Sequence, residues 1–215
     1  MTKGIVSGVV SNMVTLRVDG PVLQGEICYI TTGGDRLMAE VIKVVGSDVY
    51  VQVFESTRGL KVGSQAEFTG HQLEIQLGPG MLSKNYDGLQ NDLDKMDGVF
   101  LRRGQYTAPL DEDRLWDFEP IVKAGDRVQG SDWLGKVEEN HQPLKIMAPF
   151  QMEGTAVVKS IVPAGQYKVN DTIAVLTTEA GEDINVTMVQ HWPVRYAMTN
   201  YKEKPRPFKV LDTGV

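Results

Sequence analysis

Several groups in this 215-residue sequence have residue types and spacings that could do chemistry. Gly78-Pro79-Gly80 followed by Ser83-Lys84 has the outline of a phosphate-gripping loop. That chemistry needs a run of backbone N–H donors, then Gly-Lys-Ser/Thr, so that the lysine and hydroxyl reach the terminal phosphate and its magnesium. Here no glycine precedes Lys84, and Pro79 removes a donor, so the expectation is a tight turn without bound phosphate. Paired carboxylates at Asp92/Asp94, Asp111/Asp113 and Glu138/Glu139 suggest acid–base work, but without a convergent histidine they read as solvated surface. His71, His141 and His191 lie in three different segments and read as isolated structural residues. Arg102-Arg103 is too small a basic spot for an electrostatic footprint. The lone Cys28, inside Ile27-Cys28-Tyr29-Ile30, reads as a small core hydrophobe.

The elements that must position these groups are mostly strands. Val14, Leu16 and Val18 alternate with Thr15 and Arg17, and Val49, Val51 and Val53 repeat the period of two. With turns at Gly33-Gly34-Asp35 and Gly46-Ser47-Asp48, strands are expected near 4–10, 13–18, 26–31, 36–45, 48–54 and 72–77. Six short strands without helical periodicity predict a small closed barrel, because closure removes unpaired edges. Beyond it, Met81–Tyr86 predicts a short helical turn ended by Asp87-Gly88. Leu89, Leu93 and Met96 then predict two turns of amphipathic helix stopping near Gly98.

From about 108 to 184 the pattern is β again. Ala124-Gly125-Asp126-Arg127-Val128 is echoed by Ala164-Gly165-Gln166-Tyr167-Lys168-Val169, and each copy leads through Asp132 or Asp171 into Trp133-Leu134 or Thr172-Ile173. Two interlocked β layers around Ala148-Pro149 are expected. This half-repeat resembles the biotinyl and lipoyl carrier domains, which present an acceptor lysine at a hairpin tip. The corresponding tip, Val137 to Pro143, holds no lysine, and Lys145 stands beyond a proline; carrier architecture without modification is the expectation. The final thirty residues carry one more apolar run, Ile184 to Trp192, followed by Pro193. A polar, proline-bearing tail follows from Tyr201 to Pro207.

Composition bounds the partners. Hydrophobic residues form 41% and charged residues 23%, which excludes wholesale disorder. Lys and Arg number 22 against 28 Asp and Glu, a net charge of −6 that works against a nucleic-acid backbone as partner. The single cysteine suits a reduced, cytoplasmic setting. No apolar run is long enough to span a bilayer, and Met1-Thr2-Lys3-Gly4 does not have the order of a secretion signal. Asn185-Val186-Thr187 matches a glycosylation acceptor that has no consequence in that setting.

Several segments, in order, resemble the N-terminal part of the catalytic A subunit of the V-type and archaeal A-type rotary ATPases. They are Ala39-Glu40-Val41-Ile42, Val51 through Leu60, Gly70, and Gln76-Leu77-Gly78-Pro79-Gly80-Met81-Leu82. Tyr86-Asp87-Gly88-Leu89-Gln90, Gly98 through Gly104, Trp116-Asp117-Phe118-Glu119-Pro120 and Lys145 through Pro149 follow, then Trp192-Pro193-Val194-Arg195 and Thr213-Gly214. Asn91-Asp92 stands where many members have Arg-Pro, and Val215 where glutamine is usual, which suggests a bacterial branch.

The resemblance implies a mainly β chain, with an N-terminal six-stranded barrel over 1–71 and a barrel-sandwich-like bulge over 108–184. The bulge would be inserted in the beginning of an α/β nucleotide-binding domain made of 72–107 and 185–215. There 186–198 would be a strand lacking its sheet neighbours, with Val186, Met188, Val189 and Trp192 under-buried or covered by another copy. It further implies a structural role: an A/B ring of B subunits and other A subunits, peripheral-stalk contacts on the bulge, and service in ATP-coupled proton or sodium transport. The setting would be cytoplasmic and peripheral to the membrane. The family's Walker A loop and catalytic glutamate lie downstream of the Thr-Gly element, so the chain is expected to be an inactive N-terminal fragment. No catalytic, cofactor-binding or metal-ligating residue is assigned here, and Mg-ATP belongs to the full-length parent. The other reading is a stand-alone carrier or binding module.

Overall fold

The computed structural model describes residues 1–96, 98, 100 and 102–197. Six strands close a barrel: β1 (Lys3–Val10), β2 (Met13–Val18), β3 (Glu26–Thr32), β4 (Asp35–Val45), β5 (Asp48–Val53) and β6 (Gln65–Gln72). Their order around the wall is β1-β2-β5-β4-β3-β6, closed by Lys3–Ile5 against Gln65–Glu67. The alternation seen in sequence sends Val14, Leu16, Leu37, Val49, Val51 and Phe68 inward, all within 1% of complete burial. Cys28 lies in the same core, fully buried.

The closing strand is not the one expected. It is Gln65–Gln72, whose sequence Gln-Ala-Glu-Phe-Thr-Gly-His-Gln gives the core only Ala66 and Phe68. The more apolar 74–77 stretch is a separate strand, β7 (Glu74–Leu77), outside the barrel. Gly70, with φ +83°, lies near the end of β6.

Neither helical expectation holds. Residues 81–86 form no helix, and Leu89–Met96 contains only one 3₁₀ turn, Leu93–Lys95. Side-chain hydrogen bonds compete with the helix here. The Asp87 carboxylate accepts from the backbone N–H of Leu89 (2.9 Å) and Asn91 (2.8 Å) and from the Asn91 amide (2.8 Å), holding the segment as a compact loop.

The second unit is a sandwich of two four-stranded sheets. β8 (Leu115–Pro120), β9 (Arg127–Gln129), β10 (Trp133–Glu139) and β11 (Gln142–Met147) come from its first half. β12 (Thr155–Ile161), β13 (Gly165–Lys168), β14 (Ala174–Thr178) and β15 (Asp183–Val186) come from its second. The sheets run β11-β10-β8-β13 and β15-β14-β12-β9, so each half builds three strands of one sheet and lends its second strand to the other. Exchanging the halves exchanges the sheets. The echo in sequence has the same physical meaning in both copies. Asp132 accepts from Gln129 N–H at 2.7 Å while its own N–H donates to Gln129 C=O, and Asp171 repeats this with Lys168 at 2.8 Å. Neither half can bury its apolar face without the other's strand.

The chain leaves β7, builds the sandwich, and returns as β16 (Gln190–Pro193), which pairs antiparallel with β7. Residues 186–193 are therefore not an orphaned strand. β15 ends at Val186, and Met188 and Val189 turn into the sandwich core; Val186 and Met188 are 2% exposed and Val189 8%. Trp192 is part-buried, with its ring edge-to-face against Phe150. The expected under-burial is overturned because partners come from the sandwich and β7. The tail at Tyr201–Pro207 and Thr213-Gly214 lies outside the described residues.

Candidate functional site at the seam of barrel and sandwich

Some of the residues that looked chemical in sequence meet between the barrel, the 78–109 connection and the sandwich, namely the Gly78–Lys84 loop, Asp92, Glu139 and Arg103. The Gly78–Lys84 loop does present convergent N–H donors, but a protein carboxylate holds them. Glu139 Oε1 accepts from Gly80 N–H at 2.9 Å and Leu82 N–H at 3.0 Å. Gly80 has φ +104°, and a Cβ there would meet the Trp116 ring at 3.5 Å, so glycine suits both the turn and the approach. Lys84 turns to Asp92 (3.0 Å), which raises the lysine's pKa through that hydrogen bond.

The carboxylate pairs thus split. Glu138, Asp94, Asp111 and Asp113 face solvent, whereas Glu139 is 3% exposed and Asp92 fully buried. Reading both members of each pair as surface is wrong for Glu139 and Asp92, because burial on one side of a strand or loop is not a property of sequence neighbours. Lys95 approaches the same Asp92 oxygen at 3.8 Å. Exposed Asp113 has its carboxyl held below its ordinary range by its hydrogen bond to Lys168.

The carrier-like hairpin tip is Asn140-His141, both in the left-handed region (φ 49° and 62°), as a two-residue β10–β11 turn requires. It is pinned as well as lysine-free: Asn140 Nδ2 donates to Ser83 Oγ at 3.0 Å, beside the Glu139 contacts. Lys145 lies with its Nζ 4.7 Å from the Trp133 ring centre.

Arg103 is not merely a basic spot. Its guanidinium pairs with Asp35 at 2.5 Å and donates to the Arg58 carbonyl. The next residues continue the docking: Gly104 N–H donates to Glu55 Oε1 at 3.0 Å. Tyr106 donates its hydroxyl proton to Glu55 Oε2 at 3.1 Å and accepts from Met38 N–H at 2.9 Å. β5 ends at Val53, so the Tyr106 oxygen takes the place a strand partner would have held. Burial and the neighbouring Glu55 push the Tyr106 phenol upward.

The histidines are not all isolated. His71 on β6 and His191 on β16 each place Nδ1 3.9 Å from the same Glu74 oxygen, while His141 faces water. Among the described residues no group of three or more His, Cys, Asp or Glu side chains converges as a metal site. Beside this trio opens a cleft of about 1310 Å³ lined by His71, Glu74, Asp132, Phe150, Met152 and Trp192 among others. Its described lining includes Glu74, Asp132 and Glu153 but no lysine or arginine, the opposite of a phosphate site.

Two family models match the chain in the same order as the structural units. Residues 6–70 match the ATP synthase alpha/beta family β-barrel domain, and residues 107–195 the ATP synthase alpha/beta subunit barrel-sandwich domain. Curated V-type ATP synthase alpha chains match nearly all of it. Those of Borreliella burgdorferi and Treponema denticola are each 44% identical over 215 residues, 99% of this chain. That of Borrelia hermsii is 44% identical over 214 residues. Along nearly its whole length this chain thus matches V-type ATP synthase alpha chains, and its two units match domains of the ATP synthase alpha/beta family. It spans 37% of the length of the Borreliella and Borrelia relatives and 36% of the Treponema one.

The segments that carry the family resemblance now have a common location. Glu40, Glu55, Gly80, Gln90, Arg103 and Arg195 all make contacts between barrel, connection and sandwich or within that connection. These segments therefore take part in the contacts that hold the units together. Sequence reasoning missed Glu139, Asp92, Tyr106 and Glu55 as seam residues. A polar residue at an inward strand position, as Glu139 is on β10, was the available signal. No helix among the described residues is long and apolar enough to cross a membrane.

Proposed function

We propose that the chain is a structural N-terminal part of the catalytic alpha (A) subunit of a V-type ATP synthase or ATPase. In this reading residues 1–71 form a crown barrel in a hetero-hexameric ring with B subunits and other A subunits. Residues 108–184 form the bulge that meets peripheral-stalk subunits, and 72–107 with 185–215 begin an α/β nucleotide-binding domain. The machine couples ATP to proton or sodium-ion transport, and the chain sits on the cytoplasmic side, peripheral to the membrane. The observation that carries the reading is the closed barrel held to the 78–109 connection by an ion pair and backbone-directed hydrogen bonds, with the same connection held in turn to the sandwich through Glu139. A ring that must hold while other parts open and close needs units whose strands are paired internally.

The test is analytical ultracentrifugation of the chain with a B-subunit barrel. Association at high micromolar concentration is expected, and its complete absence counts against a ring-holding role. Calorimetry with Mg-ATP is expected to show no binding to these 215 residues.

The exchanged-strand sandwich favours one other reading, a carrier or binding module of biotinyl or lipoyl type. With Asn140-His141 at its pinned tip, such a module would carry no modified lysine. Intact mass after expression tests it: the unmodified mass is expected, and a biotin or lipoate increment would overturn the absence of a modified lysine.

A further inference from the structure

On β4, Leu37, Ala39 and Val41 face the barrel core, so Met38 and Glu40 face outward. Glu40 is nonetheless only 5% exposed. A carboxylate so removed from water needs a charged or hydrogen-bonding partner. Its Oε2 accepts from Arg195 Nη2 at 2.7 Å, across 155 residues of sequence. The neighbouring buried carboxylate, Glu26, is occupied elsewhere: its oxygens accept from Gly70 N–H (2.8 Å) and Leu23 N–H (2.9 Å). Glu26 therefore does not compete for the guanidinium.

Arg195 stands two residues beyond β16, in the turn that follows it. Val194 N–H donates to Leu73 C=O at 3.0 Å, Tyr196 N–H to Pro193 C=O at 3.1 Å, and Trp192 Nε1 to Tyr196 C=O at 3.0 Å. These contacts are few, and the Arg195 side chain is 64% exposed while that of Glu40 is 6% exposed. The pair is thus asymmetric: one half is buried on a barrel strand, the other is a side chain already largely in water. Releasing it leaves the inward-facing barrel core as it is, but obliges Glu40 to take water in place of the guanidinium.

We propose that Glu40 and Arg195 form a latch that sets the direction in which the chain leaves β16 relative to the barrel. With the latch closed, residues 193–196 are tied to the barrel wall; with it open, they swing while the six strands stay paired. Openings of this kind belong to the low-stability end of a folded chain's motions.

Hydrogen exchange on the 215-residue chain tests it, comparing Arg195→Ala, Arg195→Lys, Glu40→Gln and the Glu40→Gln/Arg195→Ala double variant. Each single loss of the pair is expected to speed amide exchange in 190–197 on the order of tenfold. Strands β2, β4 and β5 should be unchanged, the double variant no faster than Arg195→Ala, and Arg195→Lys intermediate. Unchanged exchange at 190–197 in Arg195→Ala overturns the latch. Equal acceleration of barrel and exit segment in that variant also overturns it, since the pair would then be a general structural contact. Arg195→Ala alters an exposed side chain, so the test stands even if Glu40→Gln does not fold.

Discussion

Gln90 takes both backbone groups of Gln76: its Oε1 accepts from Gln76 N–H at 2.7 Å and its Nε2 donates to Gln76 C=O at 2.7 Å. A side-chain amide thereby closes the edge of β7 that β16 leaves open, and ties the 84–92 loop to the β7–β16 pair. Gln90→Ala leaves a part-buried donor and acceptor of Gln76 without their partner and should cost about 1 kcal/mol. Gln90→Glu keeps the acceptor but sets a carboxylate against a carbonyl, so it should also destabilise. Urea unfolding measures both.

Glu139 holds the hairpin of the sandwich against the Gly78–Lys84 loop through two N–H groups. Glu139→Ala should destabilise by about 1–3 kcal/mol, and Glu139→Gln, which retains an acceptor oxygen, by less. Amide exchange at Gly80 and Leu82 should accelerate in the alanine variant before exchange at the barrel strands does.

Gly135 lies where β10 crosses the Phe118 ring. A Cβ there would stand 2.2 Å from Phe118 Cε2 and 2.8 Å from the Glu119 carbonyl. Both neighbours are fixed, Phe118 by complete burial and the carbonyl by the pairing of Lys136 with Glu119. Gly135→Ala should therefore cost about 3 kcal/mol or more. Combining it with Phe118→Leu should recover part of the loss by thermal unfolding, which a purely conformational glycine effect would not allow.

Burial, with the nearby Glu26 charge second, pushes the Cys28 thiol up to about 12. Below about pH 8 both folded and unfolded chains keep the proton, so the thiol leaves stability independent of pH there. As pH rises from about 9 toward 12 the unfolded chain releases its proton while the folded one retains it. Stability then falls by up to about 1.4 kcal/mol per pH unit from this group. Cys28→Ala should flatten the alkaline limb of a pH–stability profile. In the native chain, labelling by a thiol reagent at pH 8 should occur only through opening of the barrel.

The barrel was legible in the sequence because half-buried strands alternate. Val14-Thr15-Leu16-Arg17-Val18 specifies its own inward face, and β1 to β5 fall within a residue or two of expectation. The pseudo-repeat around Asp132 and Asp171 was legible for a related reason, since a short-range turn writes the same residues twice. Long-range partnership was not legible. β6 closes the barrel although only Ala66 and Phe68 point inward, because the free edges of β1 and β3 select it. Glu139, Asp92 and Glu40 look like surface carboxylates until N–H groups, lysines and Arg195, as many as 155 residues away, cover them. Periodicity is a local property that each segment carries in itself. The pairing of a buried charge depends on which distant segment arrives beside it, and only the tertiary structure decides that.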